Sequence, residues 1–188
     1  NLKITEIMYN AVADAANPQY SAGDFEYIEL HNSGDSSLYI GDLSFNQGID
    51  FDFPADAQIP SNGYIIVAAN KDAFISRYGS TLWNNHGLGE YSSKLSDGGE
   101  KVTVADYTGS NVVCEVDYKD NAPWSTIPDG TGTSLSLLNT ANDGTLATHW
   151  GSDKMHGSPG EAYATPTTHP IIITEVLTHT DAPLKDYI

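Results

Sequence analysis

An alternating stretch at residues 24–32 constrains the fold more than any other part of the sequence. Ile28 and Leu30 point to one side of an extended chain, and His31 points to the other. Because side chains alternate with a period of two in a β-strand, this pattern indicates a strand with one buried face. We therefore expect a strand here, with His31 on its solvent-facing side.

A second apolar run, at residues 2–10, comes before this strand. Its apolar positions change parity between Ile4 and Ile7. A change of parity indicates either a β-bulge or a strand that is buried on both faces. The two runs are close in sequence and both read as strands, so we expect them to pair.

Both runs recur near the end of the sequence in altered form. Residues 173–177 repeat the pattern of residues 4–8, and residues 186–188 repeat that of residues 26–28. A repeat at this spacing predicts two copies of the same structural unit. The second copy is represented only by its opening strands.

This repeat defines the predicted domain organisation. We expect one complete domain over residues 1–160, a linker over residues 161–170, and the truncated first strand region of a second tandem copy over residues 171–188. An isolated apolar strand needs a sheet edge to pair with. Residues 171–178 are therefore predicted to join an edge of their own domain or, by strand swapping, of a neighbouring molecule.

The charge of the chain excludes several kinds of partner. With 25 acidic and 8 basic residues, the formal net charge is −17, so binding to nucleic-acid phosphates or to anionic lipid is not expected. No apolar run approaches the roughly 20 residues of a membrane-spanning helix, so no membrane insertion is expected. An acidic surface suits a secreted or cell-surface protein, and we expect any signal peptide to have been removed or to lie outside this sequence.

The single cysteine is predicted to be structural. An internal disulfide is impossible with one cysteine, and Cys114 shares the parity of Val112 and Val116 within an apolar run. Unpaired cysteines in such positions are commonly buried and unreactive. We therefore expect a core thiol rather than a nucleophile.

The distribution of strand and turn signals predicts an all-β fold. Eight or nine short strands are separated by turns rich in Gly, Pro, Asn and Asp. The one predicted helix covers residues 70–78, with Asn70 as its cap; residues 80–99 are expected to be irregular and residues 139–160 to form a polar tail. Without alternation of strands and helices, the pattern favours an antiparallel β-sandwich with one short helix.

Ten short segments occur in a characteristic order and spacing. They are ITEIMYN at 4–10, FEYIELHN at 25–32, FDFP at 51–54, IPSNGY at 59–64, GLG at 87–89, LSDGGEKV at 95–102, VDY at 116–118, PW at 123–124, DGTGTSL at 129–135 and GSPG at 157–160. Together they resemble the bacterial branch of the lamin tail domain family.

The resemblance implies an immunoglobulin-like β-sandwich that is appended to other domains of secreted or surface proteins. It carries over no catalytic residue, since the family has no catalytic motif. The heptad rod and C-terminal prenylation cysteine of nuclear lamins are missing from this sequence, so a nuclear or filament function is not implied.

Four carboxylates are the candidates for chemistry or for a metal. Glu6 and Glu29 lie on the two opening strands, and Asp24 and Glu26 flank the second strand. Close carboxylates can act as acid and base, can bind Ca²⁺, or can be solvated or hydrogen-bonded parts of the structure. The last interpretation is favoured, because the known nucleophile, zinc and EF-hand motifs do not fit the sequence.

Aromatic and amide side chains on a long connection are the candidates for ligand binding. Trp83, Asn85, His86 and Tyr91 could stack on a sugar or contact a protein partner. Alternatively, Trp83 packs onto the sandwich and anchors the connection, and this interpretation is favoured.

Three functional hypotheses follow. The first is a non-catalytic module that spaces or attaches other domains of the same polypeptide in a larger secreted or surface bacterial protein. The second is a glycan- or protein-binding module, with Ca²⁺ as a possible cofactor, and the least favoured third is a carboxylate-dependent hydrolase. No other cofactor is expected.

Overall fold

The computed structural model describes residues 1–164, which form an immunoglobulin-like β-sandwich, as predicted. The strands are β1 (Leu2–Met8), β2 (Tyr27–Asn32), β3 (Leu38–Tyr39), β4 (Leu43–Gln47), β5 (Phe51–Asp52), β6 (Gln58–Ile59), β7 (Tyr64–Ala68), β8 (Gly87–Glu90), β9 (Lys101–Asp106), β10 (Val112–Asp117), β11 (Thr133–Leu137) and β12 (Trp150–Met155). Two α-helices, α1 (Lys71–Tyr78) and α2 (Ser80–His86), follow one another between β7 and β8.

The strands form two main sheets. The larger sheet has the order β12-β11-β1-β2-β7-β8, the second has the order β10-β9-β4-β5, and a small sheet joins β3 to β6. All pairs are antiparallel except β7 with β8, which run parallel because both helices connect them. The predicted pairing of β1 with β2 is confirmed, and these strands occupy the centre of the larger sheet.

The larger sheet is buried on both faces. Its inner face packs on the second sheet, with Ile7 and Ile28 in the shared core. Its outer face packs on the helices, where Tyr27 and Ile66 contact Phe74 and its neighbours in a separate apolar cluster. Every residue of β2 is therefore buried, although the sequence predicted only one buried face.

The prediction of a solvent-facing His31 is also wrong. Its side chain is 1% exposed. The imidazole stacks on the ring of Tyr64, with 4.3 Å between centroids, and its Nε2 lies 3.1 Å from Oδ1 of Asn62. Burial lowers the pKa of His31, so a neutral ring is favoured at this position.

The helix α1 begins and ends where its capping residues predict. The side chain of Asn70 accepts a hydrogen bond from the backbone N–H of Ala73, and Gly79 closes the helix at φ 88°. The helix α2 and the strand β12 lie where an irregular connection and a polar tail were expected. Only Trp83 of α2 is buried, so the apolar periodicity of that helix is too short to be read from sequence.

The predictions for the end of the sequence fall mostly outside the described residues. The predicted linker at 161–170 is described only as far as residue 164, and the predicted second copy at 171–188 is not described. Among residues 1–164, no helix has the length and hydropathy needed to cross a membrane.

A buried asparagine at the end of β2 connects three segments of the sandwich. The side-chain amide of Asn32 donates to the carbonyl oxygens of Ser36, Ile59 and Pro60 at 2.8 to 3.1 Å. Its Oδ1 accepts a hydrogen bond from the backbone N–H of Gly34. The side chain is fully buried. Its removal would therefore leave the carbonyl groups that it contacts without a hydrogen-bond donor.

We predict that Asn32→Ala lowers the free energy of unfolding by about 3 kcal/mol, because several buried carbonyl groups lose their donor. The matched control is Asn84→Ala on the exposed face of α2, which should change the free energy by less than about 1 kcal/mol. Urea denaturation followed by tryptophan fluorescence measures both. Equal losses in the two variants would contradict the structural role of Asn32.

Candidate functional site

A β-bulge brings two glutamates together at the centre of the larger sheet. The register between β1 and β2 shifts between Ile4 and Glu6, and beyond this shift Glu6 lies directly opposite Glu29. Ile4 and Ile7 both contribute to the inner core, so the extra residue, Thr5, turns Glu6 to the outer face. The parity change in the sequence is thus explained by a bulge and by burial on both faces.

The first of these carboxylates accepts two hydrogen bonds on one oxygen. Oε1 of Glu6 accepts from the hydroxyl of Ser134 on β11 and from the backbone N–H of Ser158 at 2.9 Å. Its other oxygen, Oε2, is buried and has no hydrogen-bond partner among residues 1–164. Glu6 therefore joins β1 to β11 and to the chain beyond β12.

The second carboxylate completes the connection. Oε1 of Glu29 accepts from the hydroxyl of Thr5 at 2.6 Å, and Oε2 accepts from the backbone N–H of Gly160 at 2.6 Å. Both glutamate side chains are at most 2% exposed. The two carboxylates thus hold the backbone at Ser158 and Gly160 against the middle of the sheet.

We call residues 156–160 the clamped segment. Its first carbonyl, that of His156, accepts a 2.7 Å hydrogen bond from the hydroxyl of Tyr78 in α1. Gly157 has φ 75°, and a β-carbon at this position would overlap the carboxylate of Glu6 and the hydroxyl of Tyr27. Only glycine fits both the backbone conformation and the space.

Burial changes the ionisation of the pair. Removal from water raises the pKa of Glu6 from 4.5 to about 7, although the hydrogen bonds from Ser134 and Ser158 oppose this increase. Burial, followed by the nearby charge of Glu6, raises the pKa of Glu29 well above its usual range. Two adjacent carboxylates in a dry site resist carrying two charges, so protonation of the pair persists toward neutral pH.

Little space remains around these carboxylates. Glu6 and Glu29 line a cavity of about 10 Å³, which Tyr163 helps to cover. Such a volume holds about one water molecule. Within residues 1–164, no three His, Cys, Asp or Glu side chains are arranged to hold a metal ion, and the proposed role of Glu6 and Glu29 as Ca²⁺ ligands stays a prediction.

The other two candidate carboxylates, Asp24 and Glu26, share no hydrogen-bond partner with this pair among the described residues. Burial raises the pKa of Glu26 to about 7, and its Oε2 accepts a 3.0 Å hydrogen bond from the backbone N–H of Leu95. Asp24 accepts from Ser21, and this hydrogen bond lowers its pKa. Both side chains fix local loops.

The candidate ligand-binding residues do not form one open surface. Trp83 is buried against Phe74, with 5.6 Å between ring centroids, and Tyr91 is also buried. His86 donates from Nδ1 to the carbonyl oxygen of Tyr64, whereas Asn85 is exposed. The interpretation of Trp83 as an anchor of the connection is confirmed, and a ligand-binding role stays a prediction.

Sequence reasoning missed the partners of the two glutamates. Ser134 and Ser136 alternate with leucines on β11, and this pattern could have identified a polar strip facing the glutamates. Gly157 and Ser158 belong to a short motif in the sequence, GSPG, which does not reveal their partner. Ser158 lies 152 residues from Glu6, and no local pattern indicates a contact over such a separation.

The cysteine is partly buried against the core, as predicted. Cys114 packs against the core between the sheets, and burial raises the pKa of its thiol to about 12. A thiol with such a pKa is a poor nucleophile at neutral pH.

We predict that the stability of the protein decreases as the pH rises from about 5 to 8. Because the folded protein binds the Glu6 proton more tightly than the unfolded chain does, this contribution is complete below about pH 4.5 and is lost as the pH passes about 7. The loss amounts to about 3 kcal/mol for Glu6 alone. Glu6→Gln, which cannot ionise, should lack this part of the decrease.

Thermal unfolding of both proteins between pH 5 and pH 8 measures the difference. The control is Asp35→Asn, a matched change at an exposed carboxylate, which should leave the pH profile as in the wild type. Parallel profiles for the wild type and Glu6→Gln would rule out a raised pKa for Glu6.

Comparison with known proteins agrees with this architecture. The family model described as Lamin Tail Domain matches residues 1–120, which include β1 to β10. Neither the curated proteins nor the solved structures include a significant match. Domains of this family are generally immunoglobulin-like modules without enzymatic activity. The chain belongs to the lamin tail domain family.

Proposed function

We propose that this chain is a non-catalytic structural module of a larger secreted or surface bacterial protein, in which it spaces or attaches the other domains of the same polypeptide. Family membership supports a module that is appended to other domains. The formal net charge of −17 supports an extracellular location and argues against a nucleic-acid partner.

The observation that carries this proposal is the clamped segment. The first strand and the last described residues of the chain meet at the centre of one sheet, through the bonds of Glu6 to Ser158 and of Glu29 to Gly160. The chain therefore leaves the folded domain from a fixed point on the sheet. This is the property that a spacer requires.

The enclosure of the carboxylate pair argues against the hydrolase alternative. A hydrolase requires an open cleft, typically of several hundred Å³, in which the substrate contacts both carboxylates. The cavity at Glu6 and Glu29 has a volume of about 10 Å³, and each glutamate already holds a backbone N–H group. The arrangement supports a structural role.

The binding alternative has less support. Stacking on a sugar requires an exposed aromatic face, and Trp83 and Tyr91 are buried. A role for Asn85 and His86 in contacting a protein or glycan, with or without Ca²⁺, would therefore depend on polar contacts alone.

The repeat in the sequence supports a tandem arrangement. Residues 173–177 repeat the pattern of residues 4–8, which include the bulge and Glu6. We propose that residues 161–170 link the domain to a second unit that begins at about residue 171. A series of such units would form an extended stalk.

The proposal predicts a specific mechanical behaviour. When the chain is pulled from its two ends in a single-molecule force experiment, the clamped segment should resist until the whole domain unfolds in one cooperative step. In the double variant Glu6→Ala/Glu29→Ala, residues 157–164 should detach first, at low force, with a gain of about 3 nm in length.

Asp35→Ala at an exposed position serves as the matched control and should behave as the wild type. Circular dichroism establishes that the double variant is folded before pulling. Identical force profiles for the wild type and the double variant would contradict the proposed role of the clamp. Hydrolysis of glycoside, ester or peptide substrates by the wild type, but not by the double variant, would contradict the non-catalytic assignment.

A further inference from the structure

A groove separates the two sheets beside the start of the chain. It has a volume of about 420 Å³. One wall is the beginning of β1, the second is β10, and the third is the loop at residues 141–145. The apolar part of the lining consists of Leu2, Ile4, Val113, Cys114 and Ala141, and the polar part includes Lys3, Glu115 and Asp143.

The β10 wall of this groove has a free strand edge. Among residues 1–164, β10 pairs only with β9. Two successive apolar side chains of β10, Val112 and Val113, are 52% and 45% exposed. An apolar edge strand of six residues is a ready template for another strand, and folded proteins usually cover such an edge.

The opposite wall also has backbone without a strand partner. On the side of β11, β1 is paired only at Glu6 and Ile7, so the register does not extend to Leu2 and Ile4 among the described residues. The side chain of Lys3 crosses this gap and donates to the backbone carbonyl of Asn142. The groove therefore offers strand edges on two sides and apolar side chains at its base.

The last described residues share a pocket with the segment that leads into the third wall of this groove. Ala162 and Tyr163 pack beside Leu137 and Thr140, and the residue after Thr140 already lines the groove. Residues 165–170 can span about 20 Å when extended. This length is sufficient to carry the following segment of the same chain into the groove.

The composition of residues 171–178 fits this environment. The sequence Ile-Ile-Ile-Thr-Glu-Val-Leu-Thr contains five large apolar residues, one charge and no proline or glycine. β-Branched residues of this kind favour an extended strand. Strand addition supplies backbone hydrogen bonds along the edge, and the groove takes alternate side chains.

We propose that residues 171–178 bind in this groove as an added strand on the free edge of β10 of the same chain. This contact explains how the apolar edge of β10 is covered. The inference does not rest on the clamped segment, but it competes with the tandem arrangement for the same residues. In the first domain β1 is paired on both edges, by β11 and β2, so a strand added to β10 could not also be the β1 of a second unit. Binding in the groove would therefore argue against a second unit that begins at residue 171.

Disulfide trapping in the full chain tests the proposal. Cys114 lines the groove, and single cysteines replace Ile172, Ile173, Thr174 and Glu175 in turn. After mild oxidation, intact mass and gel filtration identify intramolecular disulfides. Because a bound strand presents alternate residues to Cys114, we expect efficient monomeric cross-linking at one parity and at least about tenfold less at the other.

The matched controls are Ile188→Cys, ten residues beyond the predicted strand, and each variant combined with Cys114→Ser. Equal cross-linking at all positions, including residue 188, would indicate a mobile tail and overturn the proposal. Disulfide-linked dimers would show that the strand comes from a second copy, and they would also overturn it. Complete absence of cross-links with Cys114, together with unaltered hydrogen exchange in the double variant described below, would exclude the groove as the binding site.

Hydrogen exchange provides a second readout that does not depend on the cysteine. In the full chain, the double variant Ile173→Asp/Val176→Asp should accelerate amide exchange by about tenfold or more at those residues of β10 whose N–H groups point to the free edge, because the added strand is lost. Thr168→Asp outside the strand should leave these rates unchanged. Unaltered rates in the double variant would contradict the proposal.

Discussion

The hydrogen bonds that two buried glutamates accept from backbone N–H groups of the clamped segment organise the outer side of this sandwich. Glu6 reaches the outer face only because of the bulge at Thr5, and its position opposite Glu29 follows from the register of the two central strands. An unpaired buried carboxylate costs several kcal/mol. Here the cost is reduced by hydroxyl and backbone donors and by proton binding, because burial raises the pKa values of both carboxyl groups.

This arrangement explains why residues far apart in sequence must occur together. Glu6 needs Ser134 on β11 and the N–H of Ser158, and the close approach of the backbone requires glycine at position 157. The helix α1 contributes the hydroxyl of Tyr78 from the other side of the clamped segment. The family model matches residues 1–120, whereas the clamped segment lies beyond that range and is hydrogen-bonded to the centre of the sheet.

Much of the inner architecture could be predicted from the sequence, because local patterns determine it. Alternating apolar residues located β2, and the cap at Asn70 located α1. Burial of His31 could not be predicted in this way, because its partners Asn62 and Tyr64 come from a different part of the chain. The strand period shows which residues share a face, but it does not show whether another layer covers that face.

At the candidate site, too, some features could be predicted from the sequence and others could not. The two glutamates could be selected from sequence because they lie on strands that were expected to pair. Their function as acceptors for Ser158 and Gly160 could not, since 152 residues separate Glu6 from Ser158 and 131 separate Glu29 from Gly160. Similarly, α2 escaped prediction because its stability depends on Trp83 packing against Phe74 rather than on its own periodicity.

Direct titration of the glutamate side chains tests this account at its centre. Carbon-13 NMR of the side-chain carboxyl groups, assigned with Glu6→Gln and Glu29→Gln, follows each group from pH 3 to pH 9. The account predicts that Glu6 titrates near pH 7 and that the midpoint of Glu29 lies well above 4.5. Midpoints close to 4.5 for both groups would show that the carboxylates are in contact with water, and the clamp described here would then be incorrect.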